Sequence, residues 1–544
     1  MTTTTTTTPA GRDHPGTTPA PTPTQARPDG GPTPGSADRH GVRRGLAARA
    51  AWAAAALAVV AGVVLRFVAT SDLWLDEALT VTIARLPVRE IGPALRLDGH
   101  PPLYYVLLHG WTAAFGTSDL AVRSLSGVFA VAALPLMWAA GRRLGGRSTA
   151  ALATLLLATS PFAVRYATEA RMYSLVTLLA LALGLAVARA LERATPRRLA
   201  EVALCTAALL LTHYWGLYLV AATVAVAVGL GWRRPEQRAA AGRVAIAVML
   251  GSLAFVPWLP TFAWQARHTG TPWGRSVDPA KAVMDTVIDF GGGKWVGGRL
   301  LGPLLVLLVL LALFARAIDR YRLEVDLRTV AGARPEAAIA AVTLSLGIAA
   351  AVAASSAFQP RYTAGILPFA LLAAAIGIER LPHPRLQQAT VVAVCLLGLA
   401  GAVRVDIEPR TQAGTVAAAV RRGAEPGDVI AYCPDQLEPA VHRLLGGAAF
   451  EFTYPPGDPP GRIDWADYRG RIHRSDPLRF ARQLEQRAGD HAIWLVTGTN
   501  YRGFGGDCAA IRRHLGDAGR RSERIFGPDH DAYERETLTR FTAR

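Results

Sequence analysis

The chain has 544 residues, 58 basic and 41 acidic, for a formal charge of +17; 51% are apolar and only 18% charged. A nucleic-acid binder of similar basicity would be rich in charge, so that class is excluded, as is an ordinary soluble basic protein. Only two lysines occur, Lys281 and Lys294, so the positive charge is almost all arginine and has to be read by position.

Residues 1–45 are rich in Thr, Pro and Gly, with a run from Thr2 to Thr8, and offer almost nothing to bury. Such a segment cannot offset the entropy of ordering and reads as a disordered cytoplasmic tail. It is too long and too proline-rich for a cleavable signal peptide. The first apolar run, Ala50 to Ala69, is therefore expected to stay in the bilayer as a helix. Further spans are expected near 119–140, 148–163, 172–191, 199–212, 217–231, 243–260, 299–318, 337–356, 362–379 and 387–403. Every second connection is basic: Arg43/Arg44/Arg49, Arg142/Arg143/Arg147, Arg193/Arg197/Arg198, Arg233/Arg234/Arg238, Arg316/Arg320/Arg322 and Arg380/Arg385. The positive-inside rule places these in the cytoplasm. His100–Phe115 resembles one more span, but counting it would reverse every later basic loop. It reads instead as an interfacial or re-entrant helix within a long first external loop, 70–118.

The expected fold is thus a polytopic α-helical membrane protein of the cell membrane, with about 11 transmembrane helices over residues 46–403 and external interfacial helices. The N-terminus is expected in the cytoplasm. From Arg404 to Arg544 the long apolar runs vanish, and β-like stretches (Val429–Cys433, Ala492–Thr497) alternate with helical ones (Pro477–Arg487, Ala509–Leu515). This composition predicts an extracytoplasmic α/β domain over 404–544. Its only cysteines, Cys433 and Cys508, are candidates for a disulfide in an oxidising exterior.

Polar residues that hydrophobicity does not explain gather at turns on the expected external side: Asp76, Glu77, Asp98 and His100, then Arg165, Tyr166, Glu169, Arg171 and Tyr173. They recur at His213, and at Gln359, Arg361 and Tyr362. Ionisable groups at membrane depth are costly and usually face a protein-lined cavity; solvated caps are the alternative for any one turn. Asp76 at the start of an amphipathic helix is favoured in its ionised form, suited to accept a proton from a hydroxyl, and equally suited merely to cap the helix. Adjacent carboxylates point ~100° apart on a helix, so a glycosidase pair spanning a bond is not suggested. Arg165 and Glu169 are i,i+4 neighbours that read either as a structural pair or, like Arg171 and Arg361, as a place for a lipid phosphate to meet guanidinium groups. His213 reads equally as an interfacial histidine or a ligand. Gly291-Gly292-Gly293-Lys294 lacks P-loop spacing and reads as a flexible turn in an external loop at 261–298. No Cys/His spacing announces zinc.

Leu73-Trp74-Leu75-Asp76-Glu77-Ala78, His100-Pro101-Pro102-Leu103-Tyr104-Tyr105, Ala121-Val122-Arg123 and Tyr166-Ala167-Thr168-Glu169-Ala170-Arg171-Met172-Tyr173 occur in that order. Together they resemble the glycosyltransferase C superfamily, in the branch of protein O-mannosyltransferases, aminoarabinose transferase and RgtA/B/C/D-like enzymes. The resemblance is strongest over about 70–180, weaker over 358–368, and does not extend to the C-terminal domain. It implies an integral membrane transferase that moves mannose or a similar sugar from a polyprenyl-phosphate donor to an extracytoplasmic hydroxyl, with inversion. The acceptor would be a glycan, glycolipid or protein, and no nucleic acid is involved. By the same resemblance Asp76, with Glu77 beside it, is catalytic. The donor and its phosphate would be met by His100, Arg165, Glu169, Arg171, Tyr173, His213, Arg361 and Tyr362. His100 stands where aminoarabinose transferase-like proteins place a Glu-Lys pair before proline, so their metal or lysine–phosphate contacts do not carry over. The reading requires no cofactor, and a divalent metal, though compatible with it, is not indicated. The competing class is a transporter or flippase of a lipid-linked glycan, which would need polar residues along span interiors and usually shows internal repeats. A scaffold anchored by so many spans ranks last.

Overall fold

The computed structural model describes residues 34–270, 276–328, 332–447, 450–499, 501 and 503–543, with only the backbone described for 34–48. The chain forms two units, 1–54 and 55–544. Residues 1–33 of the expected tail lie outside the described residues. From Pro34 the backbone is already helical, in α1 (Pro34–Leu65). The helix thus starts before the expected span, because a proline at its first position and the alanine- and arginine-rich stretch after it favour helix beyond the apolar run.

Three short helices follow: α2 (Leu75–Ala84), α3 (Val88–Asp98) and α4 (Leu103–Phe115). The 13 residues of α4 reach ~20 Å at ~1.5 Å per residue, short of the ~30 Å of a bilayer core, as the interfacial reading requires. Next, α5 (Asp119–Ala158) contains two expected spans. Gly146, at φ 87°, breaks it, and a Cβ placed on Gly141 would lie 2.6 Å from the Ala150 Cα. Residues nine apart meet only if the chain doubles back, so α5 is a helical hairpin with Arg142, Arg143 and Arg147 near its bend.

Then come α6 (Pro161–Ala167), α7 (Tyr173–Glu192), α8 (Pro196–Leu210), α9 (Trp215–Arg233), α10 (Arg238–Ser252), α11 (Leu259–His268), α12 (Pro279–Phe290) and α13 (Val296–Phe314). A small antiparallel hairpin, β1 (Ala315–Ala317) with β2 (Leu323–Val325), precedes α14 (Arg334–Ala353), α15 (Leu367–Glu379) and α16 (Pro384–Ile407). Among the described residues seven helices are long and apolar enough to cross a membrane, one of them the continuous stretch Pro235–His268 that contains α10 and α11, and α1 and α15 supply shorter apolar segments. Each expected span overlaps a helix, although those at 50–69, 299–318 and 337–356 run past the helix ends, the second into β1. Large apolar side chains such as Trp232, Met249, Leu300 and Leu396 remain exposed on them, as lipid-facing positions do. The expected loop at 261–298 is instead mostly helical, in α11 and α12, with the glycine run as the tight stop of α12. The amphipathic spacing of Ala282, Thr286 and Phe290, all buried, explains that helix.

The C-terminal region contains α17 (Ala413–Gly423), β3 (Val429–Cys433), α18 (Glu438–Leu445), β4 (Phe450–Thr453), α19 (Tyr468–Arg474), α20 (Pro477–Ala488), β5 (Ile493–Gly498), α21 (Asp507–Asp517), β6 (Arg521–Phe526) and β7 (Glu536–Thr542). The sheet order is β4-β3-β5-β7-β6. β4, β3 and β5 are parallel, while β7 runs antiparallel between β5 and β6. β3 is buried along its whole length, as a central strand covered on both faces should be. The α/β domain belongs to the same unit as the membrane helices. Cys433, ending β3, is bridged to Cys508 on α21, across 75 residues. Replacing Cys508 by Ser should therefore lower stability by about 2–4 kcal/mol, read as a lower melting temperature of the detergent-solubilised protein. A non-reduced peptide map should contain the linked pair.

Candidate active site between the membrane helices and the α/β domain

Trp74, Leu75, Asp76 and Glu77 open α2, and successive residues on a helix point ~100° apart. Glu77 points into the protein and is fully buried. Its two oxygens accept from Arg123 Nε and Nη2, both at 2.7 Å, and Oε1 also accepts from the Ala170 amide at 2.9 Å. Arg410, just beyond α16, stands 3.6 Å away and donates to the Thr168 carbonyl and hydroxyl. Burial alone would raise the Glu77 carboxyl, but the charge and hydrogen bonds of Arg123, then Arg410 and the Ala170 amide, push it down to about 2. A carboxylate so enclosed is structural, which corrects its expected catalytic role.

Asp76 faces the other way. Its Oδ2 lies 3.1 Å from Arg361 Nη2 and 4.0 Å from Arg171 Nη2, and it has no aligned hydrogen-bond partner among the described residues. Arg361 lies in the 3-10 turn before α15, its guanidinium 5.4 Å from the centre of the Trp74 ring. Arg171, in the turn before α7, donates to Thr80 Oγ1 at 2.7 Å and to His100 Nε2 at 3.0 Å. His100 follows Gly99, whose φ of 93° ends α3 in a conformation that favours glycine. His100 Nδ1 and the Tyr105 hydroxyl both donate to Asp98 Oδ2, at 2.8 and 2.9 Å. Burial opposes ionisation of Asp98, yet His100, then Arg171 and Tyr105, hold its carboxyl below the usual range.

Trp74, Asp76, Asp98, His100, Arg171 and Arg361 line a cavity of about 310 Å³. The α/β domain closes its other side with Trp465, Tyr501 and Tyr533. That domain is pinned by the Trp465 amide to the Leu97 carbonyl, by the Leu75 amide to Glu534 Oε1, and by Tyr533 packed edge-on to Trp74 at 5.3 Å. Around the cavity the Tyr173 hydroxyl, Trp74 Nε1 and the Nε atoms of Arg171 and Arg361 are buried without a hydrogen-bond partner among the described residues. Orphaned donors converging on one space are the mark of a site for a polar, electron-rich ligand.

Of the residues singled out from the sequence, Asp76, His100, Arg171, Tyr173, Arg361 and Tyr362 line this cavity. Glu77, Arg165, Glu169 and His213 do not. Arg165 lies 3.7 Å from buried Glu169, the structural reading of that pair. His213 is buried behind Tyr173 and Tyr362, its Nδ1 accepting from the Trp215 amide. Burial, then the neighbouring His100 ring and the charges of Arg171 and Arg361, hold it well below its ordinary pKa, so it stays neutral. Asp98, grouped with the external polar residues but given no role, also lines it; the sequence reading missed the structural role of Arg123 and the aromatic wall of the C-terminal domain. Among the described residues one group of side chains is close enough to hold a metal: Glu438, His442 and Glu451, in the α/β domain and outside the cavity lining.

The sequence model of the dolichyl-phosphate-mannose-protein mannosyltransferase family matches residues 99–264. ArnT from Cupriavidus metallidurans in the apo state superposes with a TM-score of 0.57 at 14% identity, covering 90% of this chain and 98% of that one. The same protein bound to undecaprenyl phosphate gives 0.53 at 12% identity, covering 89% and 96%. No match is found among curated proteins. The chain is a multi-pass helical membrane protein that shares the fold of ArnT.

Glu77→Gln should destabilise the protein by about 3–5 kcal/mol, because it strands buried Arg123 and Arg410 without their anion. The native stabilisation should be complete above the ordinary carboxyl range near 4.5 and fade as pH falls toward about 2. Thermal unfolding across pH would show the wild-type advantage over the variant shrinking only in acid.

Proposed function

We propose that this protein is an integral membrane glycosyltransferase that moves a sugar such as mannose from a polyprenyl-phosphate donor to an acceptor hydroxyl on the extracytoplasmic side. The observation that carries this reading is one carboxylate, Asp76, set between the guanidinium groups of Arg361 and Arg171, at 3.1 and 4.0 Å, in an open cavity. Asp76 accepts the proton of the acceptor hydroxyl as that oxygen attacks the anomeric carbon. The bond from the anomeric carbon to the phosphate oxygen breaks on the opposite face, so configuration inverts. Arg171 and Arg361 neutralise the charge gathering on the departing polyprenyl phosphate, and no protonated acid is needed there. The unpartnered Tyr173 hydroxyl and Trp74 Nε1 supply further donors to phosphate or sugar oxygens. ArnT, whose fold this chain shares, binds undecaprenyl phosphate, which agrees with a lipid-phosphate donor. The acceptor is a glycan, glycolipid or protein, and no cofactor is required.

Membranes containing the protein, incubated with a panel of radiolabelled polyprenyl-phosphate sugars, should transfer label to an endogenous acceptor. Asp76→Asn should reduce that transfer by about 10²–10⁴-fold, and Arg361→Gln by about 10²–10³-fold. Transfer unchanged by Asp76→Asn would remove the carboxylate from the mechanism. Movement of the lipid-linked sugar across the bilayer without transfer would replace this reading with transport.

A further inference from the structure

Both arms of the Arg171 guanidinium lead to the same carboxylate. Nη2 donates to His100 Nε2 at 3.0 Å, and His100 Nδ1 bonds Asp98 Oδ2 at 2.8 Å. Nη1 reaches the Tyr105 hydroxyl at 3.3 Å, and that hydroxyl donates to the same Asp98 oxygen at 2.9 Å. A guanidinium can only donate, so the His100 ring must accept at Nε2 and carry its proton on Nδ1. The ring is closed, and it holds Arg171 Nη2 at 4.0 Å from Asp76 Oδ2, whereas Arg361 approaches to 3.1 Å.

We propose that His100, with Asp98 behind it, is a positioning residue that holds Arg171 away from Asp76 and so keeps that carboxylate available as a base. The proposal rests on the reading of Asp76 as the base given above. A second proton on His100 would turn Nε2 from acceptor to donor, leaving two N–H groups facing each other. Arg171 would then lose that tether and close on Asp76, and a carboxylate paired with two guanidinium groups is a weaker base. The charged and titratable groups facing His100 are Asp98 on its own segment, Tyr105 on α4, and Arg171 from the turn before α7. Beyond them stand His213 before α9, Arg361 before α15, and Asp76 on α2. His100 lines the cavity, so protons reach it.

The test compares wild type, His100→Gln and His100→Leu for transfer from the donor that wild type uses. Gln offers an amide oxygen to Arg171, so H100Q should retain transfer within about tenfold. Leu offers no acceptor, and H100L should fall by about 10–100-fold, the worth of a hydrogen bond to a charged group. Transfer by H100Q as low as that by H100L, or unimpaired transfer by H100L, overturns the proposal. A second arm does not depend on activity. In protein labelled in its histidine ring nitrogens, the resonances absent from H100Q should show at pH 7.5 a protonated Nδ1 and a bare Nε2. The opposite tautomer defeats the clamp even where wild type transfers nothing. Failure of wild type to transfer any sugar, with the tautomer as stated, defeats the assigned reaction and leaves the clamp standing.

Discussion

The buried carboxylate of Glu77 is the constraint from which the site follows. An ionised group with no access to water is tolerated only where charge and hydrogen bonds surround it. Here the partners come from α5 (Arg123), the turn before α7 (Ala170) and the segment after α16 (Arg410). Three stretches of chain far apart in sequence must therefore meet around the first turn of α2. The helix cannot rotate without stranding an anion and two cations, so the direction of the next side chain, Asp76, is determined as well. One of two neighbouring acids anchors the frame, and the frame aims the other.

What it aims at is a pair of guanidinium groups. Arg171 and Arg361 both face Asp76, and Arg171 is already held through His100 and Tyr105 by Asp98. Arg361 has an aromatic face beneath it in Trp74, which accepts a cation without neutralising it. The orphaned Nε atoms of both arginines add donor capacity that no group among the described residues consumes. The phosphate of the proposed donor suits such an arrangement, because it accepts several donors at once.

Much of this was legible in the sequence, and for identifiable reasons. The spans were readable because apolar length and arginine position are one-dimensional signals, and α4 stays out of the count because its inclusion would break the charge alternation. Asp76, Arg171 and Arg361 were readable as charges that hydrophobicity could not explain, and the structure brings all three to one cavity. The division of labour between Asp76 and Glu77 was not readable. It depends on which helix face meets Arg123, a contact across 46 residues. The same limit applies to Arg165 and Glu169, whose i,i+4 spacing is satisfied equally by a structural pair and by a ligand site. His213 was ambiguous because burial behind Tyr173 and Tyr362, which keeps it neutral, is a property of packing alone.

The aromatic wall from the α/β domain was missed for a different reason. Composition changes near Arg404, and a change of composition invites the division of labour to be drawn at the same point. The sheet shows why it does not fall there. Ligand crevices in open α/β sheets lie beyond the carboxyl ends of parallel strands, and Tyr501 follows that end of β5. Tyr533 reaches the same edge because the start of β7 pairs there, Glu536 opposite Gly498. Trp465, after β4, is tied to the end of α3 by its amide. The crevice of the C-terminal sheet and the loop cluster of the membrane helices are thus two halves of one cavity, and Arg410, on the C-terminal side of the boundary, completes the anchoring of Glu77 on the other. A site that straddles the boundary in both its lining and its foundation is a property of the whole chain from α2 to β7, and neither part alone contains it.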